Sequence, residues 1–74
     1  MEKEKLLSIF PERLREAVTT SGISYRELAD KLGVNKSTVS MYLHGKALPS
    51  LEIIVSVAEI TDVSLDFLTG RKEL

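Results

Sequence analysis

Seventy-four residues, 43% of them apolar and 28% charged, suffice for one small domain whose core is shared between neighbouring elements. The lack of cysteine removes disulfides and thiolate metal sites, the single histidine leaves no metal-ligand set, and no apolar run approaches the roughly 18 residues of a membrane span. Net charge is −1 but unevenly spread: residues 24–49 carry +2 and residues 50–74 carry −3, which confines any polyanion contact to one face.

Residues 1–7 are charged and unpatterned, and are expected to be a flexible end or a loose extension of the first helix; residues 71–74 are expected to be flexible as well. The ordered domain is expected over residues 8–70. Ser8 is a candidate N-cap, with Pro11 in the first helical turn, where its missing N–H has no intrahelical acceptor. Phe10, Leu14, Ala17 and Val18 follow a helical spacing, with Glu12, Arg13, Arg15 and Glu16 on the solvated side. Ser21-Gly22 stops this helix. Ser24 opens the second with a capping box, its hydroxyl accepting from the Glu27 N–H while the Glu27 carboxylate reaches back to the Ser24 N–H. A third helix runs from Lys36 to Leu43 and is closed by Gly45. After the loop 46–49, Ser50 caps a fourth helix, with Leu51, Ile54, Val57 and Ala58 as its core stripe and Val55 flanking. Asp62 breaks it. Ser64 caps a last short helix, pinned by Leu65 and Leu68 before Gly70. The cluster Ile53-Ile54-Val55 lies inside a helical period, so no strand is predicted. The fold class is all-α, with five helices.

The stretch ELADKLGVNKSTVSMYLHGK, from Glu27 to Lys46, organises the rest. Gly33 takes positive φ without a Cβ penalty and ends the second helix abruptly. Leu28 and Leu32 recur four apart before it, and Ala29 is small where a larger side chain would push two helices apart. Beyond the turn, Val34 is apolar, Asn35 is a good N-cap, and Val39, Tyr42 and Leu43 form a second buried stripe. That pattern predicts a helix-turn-helix.

From Phe10 to Gly70 the chain resembles the Cro-type, lambda-repressor-like helix-turn-helix family. Three stretches carry the resemblance: SYRELADKLGVNKSTVSMYLHGK, PSLEIIVSVAEI and VSLDFLTGR. The resemblance implies a compact five-helix domain that binds double-stranded operator DNA as a dimer, with helix 3 in the major groove. Tyr25 and Lys36 stand where the family often has glutamine, and Met41 where it commonly has a polar residue. Many relatives also pair an arginine late in helix 1 with a glutamate two residues before the glycine that closes helix 3. Here those places hold Val18 and Leu43. A packed apolar pair replaces a buried ion pair at little cost, so these two side chains are expected to touch in the core.

Helical geometry selects the reading face. At about 100° per residue, Val39, Tyr42 and Leu43 take the inner side of helix 3, Ser37, Met41 and His44 the outer, with Ser40 beside them and Lys36 at the N-terminal end. The outward side is short, mostly polar and free of acid, as a major groove requires. The base-reading candidates are Lys36 (guanine or a phosphate), Ser37 and Ser40 (base edges) and Met41 (a thymine methyl). The phosphate-contacting candidates are Ser24, Tyr25 and Arg26 at the start of helix 2, Asn35 at the start of helix 3, and His44 and Lys46 beyond its end, where Ser40 also falls. His44 is expected to bond while neutral and more strongly when protonated. Plainer readings stand beside these: solvated lysines at Lys36 and Lys46, a tolerated exposed side chain at Met41, a Tyr25 ring packed on helix 3. Tyr42 is expected in the core.

One recognition helix reads few base pairs, so a homodimer on a palindromic operator is expected, with half-sites about 34 Å apart. Ile53, Ile60 and Phe67 are the candidate dimer residues, the plainer reading being that they complete a small core. The resulting function is a sequence-specific, double-stranded DNA-binding transcriptional regulator of bacterial or prophage type, a repressor, acting in the cytoplasm. The competing reading is a protein-protein interaction module on the same fold. No enzyme is indicated: there is no nucleophile–base set and no phosphate-cradling glycine loop, and Glu52 and Glu59 read as solvated charges. No cofactor, metal or small-molecule ligand is implied.

Overall fold

The capping serines and the apolar spacing place five helices, with one boundary displaced from its expected position. The computed structural model describes residues 1–73 and contains α1 (Lys3–Ser21), α2 (Tyr25–Leu32), α3 (Lys36–Leu43), α4 (Leu51–Thr61) and α5 (Leu65–Leu68). No strand occurs among the described residues. Helix α1 begins at Lys3 rather than at a Ser8 cap, and its own N-cap, Glu2, makes no side-chain bond. Its first turns are rich in strong helix formers, and Leu6, Leu7 and Ile9 are half-buried, so this segment has an apolar side to dock.

Pro11 therefore lies buried inside α1, not in its first turn. Without an N–H it leaves the Leu7 carbonyl, one turn earlier, with no helical donor. Gly45 covers that position: a Cβ built there would stand 2.8 Å from the Leu7 carbonyl oxygen and 3.6 Å from Pro11 Cγ. The chain leaving α3 is thus laid on the gap that Pro11 opens in α1.

The Ser24 capping box forms, with Ser24 Oγ accepting from the Glu27 N–H at 3.0 Å and Glu27 Oε1 from the Ser24 N–H at 3.2 Å. At the other end of α2, Gly33 has φ of 71°, and the N–H groups of Gly33 and Val34 return to the carbonyls of Asp30 and Ala29. This closure satisfies carbonyls that the helix leaves open. It recurs after α3, where Lys46 N–H reaches Met41, and after α4, where Val63 N–H reaches Ala58.

The core joins Phe10, Leu14, Ala17 and Val18 of α1 to Leu28, Ala29, Val39, Tyr42, Val57, Phe67 and Leu68. Helix α1 packs on α3, α4 and α5, while α2 packs on α3 and α4. Tyr42 meets Phe10 edge-on, centroids 6.5 Å apart at 74°, and so belongs to the core as expected. Val18 is buried and Leu43 is half-buried against the same cluster.

Helices α4 and α5 differ from the predicted pattern. Leu51 is 75% exposed and Leu65 41%, because each lies about 100° around its helix from the direction its neighbours bury. Val55 is also exposed, while Thr61 takes an inward position beside Val57 and donates its hydroxyl to the Val57 carbonyl at 2.7 Å. Phe67 is the main correction among the candidate dimer residues. It is 1% exposed and roofed by the Arg13 guanidinium 4.7 Å from its ring centroid, so its side chain fills the domain's own core. Ile53 and Ile60 are half-buried against that core as well. Arg13 also donates to the Lys72 carbonyl at 3.0 Å, holding residues beyond α5 against α1; Leu74, within the end expected to be flexible, lies outside the described residues.

Candidate nucleic-acid interface

Helix α3 is held by two buried inward side chains, Val39 and Tyr42, with Leu43 half-buried beside them. An eight-residue helix is marginal alone, so burial of these two fixes which side faces out. Lys36, Ser37, Ser40, Met41 and His44 are all exposed, and none of the described residues covers Lys36 or Ser37. The outward row contains no carboxylate.

At the N-terminal end, Ser24 and Arg26 are exposed at the start of α2, whereas Tyr25 is half-buried with its side chain packed against the core. Asn35 occupies the N-cap position of α3 with extended backbone, but its side chain makes no capping bond. That amide is uncommitted, and the leading N–H groups of α3 have no intrahelical acceptor.

At the C-terminal end, Ser40, Met41, His44 and Lys46 line one shallow cleft, which brings two base-reading candidates beside two phosphate candidates. The His44 ring is not free to use both nitrogens. Nδ1 lies 2.7 Å from the Ser40 carbonyl oxygen and 3.3 Å from Ser40 Oγ. A carbonyl can only accept, so Nδ1 carries the proton and the neutral ring presents a bare Nε2 lone pair. Nε2 is then the ring nitrogen left for an outside partner.

Sequence reasoning missed Arg15. Its guanidinium Nη2 donates to the Leu43 carbonyl, the last of α3, at 2.7 Å. Its place among α1's charged positions gave no signal, because the partner is a backbone oxygen of a helix distant in sequence.

Comparison with known proteins agrees with this fold. A family model described as helix-turn-helix matches residues 14–68. The chain is 38% identical over 60 residues to the SPbeta prophage-derived HTH-type transcriptional regulator YonR of Bacillus subtilis, covering 81% of this chain and 56% of that protein. It is 30% identical over 60 residues to the cryptic phage CTXphi transcriptional repressor RstR of Vibrio cholerae, covering 81% and 54%. The chain thus spans about half the length of both relatives. Among solved structures it resembles the restriction-modification controller protein C.AhdI of Aeromonas hydrophila, with TM-score 0.75, 34% identity, and coverage of 84% of this chain and 94% of that one.

Proposed function

This chain belongs to the Cro-type helix-turn-helix family of transcriptional regulators, and from that premise we propose that it binds double-stranded operator DNA sequence-specifically, with α3 in the major groove. The observation that carries the reading is the exposed, acid-free row Lys36, Ser37, Ser40 and Met41 on a helix whose opposite side packs on the core. In this reading Lys36 reaches guanine or an adjacent phosphate, the two hydroxyls meet base edges, and Met41 covers a thymine methyl. Ser24, Tyr25, Arg26 and Asn35 hold the phosphates at one side of the groove, and His44 with Lys46 those at the other. Resemblance to a phage repressor supports repression as the outcome, in the cytoplasm.

The proposal includes a homodimer on a palindromic site. One short helix reads too few base pairs for strong selection, and a two-fold axis doubles the readout. The exposed apolar side chains Leu51, Val55 and Leu65 form the surface offered to a second copy, replacing the expected Phe67.

Selection of bound duplexes from a random pool, followed by binding measured at about 50 and 200 mM salt, tests the reading. The expected result is a symmetric site whose affinity falls steeply with salt. On that site, Lys36→Ala is expected to cost about 1–3 kcal/mol and relax one base position. A uniform loss with a salt slope lower by about one would reassign Lys36 to a phosphate. Recovery of no duplex at either salt would leave the protein-interaction alternative in possession.

A further inference from the structure

We propose that Arg15 is a positioning residue of the recognition helix: it caps the last carbonyl of α3 from α1 and so sets the angle at which the reading row is presented. The proposal rests on α3 being the DNA-reading element. An α-helix leaves its final four carbonyls without intrahelical donors. In α3 these are Ser40, Met41, Tyr42 and Leu43. The chain that follows supplies three: the His44 N–H reaches Ser40 at 3.0 Å, Lys46 N–H reaches Met41 at 3.0 Å, and Gly45 N–H reaches Tyr42 at 3.3 Å. The Leu43 carbonyl is met from another helix, by Arg15 Nη2 at 2.7 Å.

The chemistry suits the position. A guanidinium at a helix C-terminus faces the negative end of the dipole, and a charged donor makes the shorter and stronger kind of hydrogen bond. Arg15 is exposed, so the bond adds little to global stability. Its effect is geometric. The N-terminal part of α3 is anchored through Val39 and the glycine turn, whereas its last turn carries Met41 and His44 outward and has only the half-buried Leu43 beyond Tyr42. Side chains that read bases must be held within about 0.5 Å, and a tie from α1 adds to the restraint that buried Tyr42 gives the last turn.

The test uses the full chain with Arg15→Met, which keeps the aliphatic stem and removes the donor, and Arg15→Lys, which returns a donor of similar reach. Binding is measured to the selected duplex and to a random duplex of equal length, with amide hydrogen exchange on the free proteins. Arg15→Met is expected to weaken the selected duplex roughly three- to tenfold while leaving the random duplex and the salt slope unchanged, the scale of one exposed charge-assisted bond. Exchange is expected to quicken at His44, Gly45 and Lys46 but not at Leu14 or Leu28, and Arg15→Lys recovers part of both effects. Equal losses on the two duplexes with a lower salt slope would make Arg15 a phosphate contact and overturn the proposal, as would unchanged affinity with unchanged exchange. If the unmodified chain binds neither duplex, the DNA reading fails, and the exchange comparison by itself decides whether Arg15 caps α3.

Discussion

Gly33 and Gly45 hold similar backbone angles, φ of 71° and 67°, yet a methyl group would meet different surroundings at each. At Gly33 nothing lies within 4 Å of the added carbon, so Gly33→Ala is expected to cost only the left-handed backbone penalty, about 1 kcal/mol. At Gly45 the same carbon would stand 2.8 Å from the Leu7 carbonyl, a backbone atom that cannot swing aside. Gly45→Ala is therefore expected to cost about 2–3 kcal/mol. Urea denaturation midpoints at constant m-value check this, and equal losses at the two positions would argue against the close approach. That Gly45 ends a helix was legible from its place after Leu43. Its contact was not, because it depends on α1 continuing past Ser8 and carrying Pro11 inside. The exposure of Lys36, Ser37 and Met41 followed from helical spacing alone. The engagement of His44 Nδ1 with Ser40 needed coordinates, since it depends on a rotamer.

At the level of elements, the starts of α2, α4 and α5 were legible because an N-cap is a local device, whereas that of α1, which has no side-chain cap, was not. Ser24, Ser50 and Ser64 each accept from the N–H three residues on. Which side a helix buries is decided by its neighbours, and there the pattern misled. In α4 the leucine at the first position looked internal but is exposed, and α4 turns Thr61 inward, where its hydroxyl is satisfied by the preceding turn. The end of α4 is also its weak point. Its closing residue, Asp62, is the one non-glycine among the described residues with positive φ, at 56°. A carboxylate there also faces the negative end of the helix dipole. Asp62→Gly is expected to stabilise the domain by about 1 kcal/mol, raising the thermal midpoint by roughly 4–8 °C. A lowered midpoint would show that the aspartate makes a compensating contact.

On the scale of the whole molecule, five helices and their order were legible, since each is bounded by a recognisable cap or glycine. The outer surface of the fold was legible only in part. Phe67 and Leu51 exchange the places expected of them, one entering the core because α5 is too short for its period to show, the other leaving it because it lies off the side that α4 buries. The consequence is testable on Val55, which is exposed on α4 one turn from Leu51. Val55→Glu is expected to leave folding intact, abolish self-association in sedimentation at high concentration, and weaken binding to a two-half-site duplex at least about tenfold while sparing a single half-site. Full affinity of this variant for the two-half-site duplex would remove that surface from the dimer.

Because Val39, Tyr42 and Leu43 root α3 against the interior while Lys36, Ser37, Ser40 and Met41 are exposed, the vocabulary of the reading surface is uncoupled from the core. Substituting those four positions together is expected to leave the parent's fold in place.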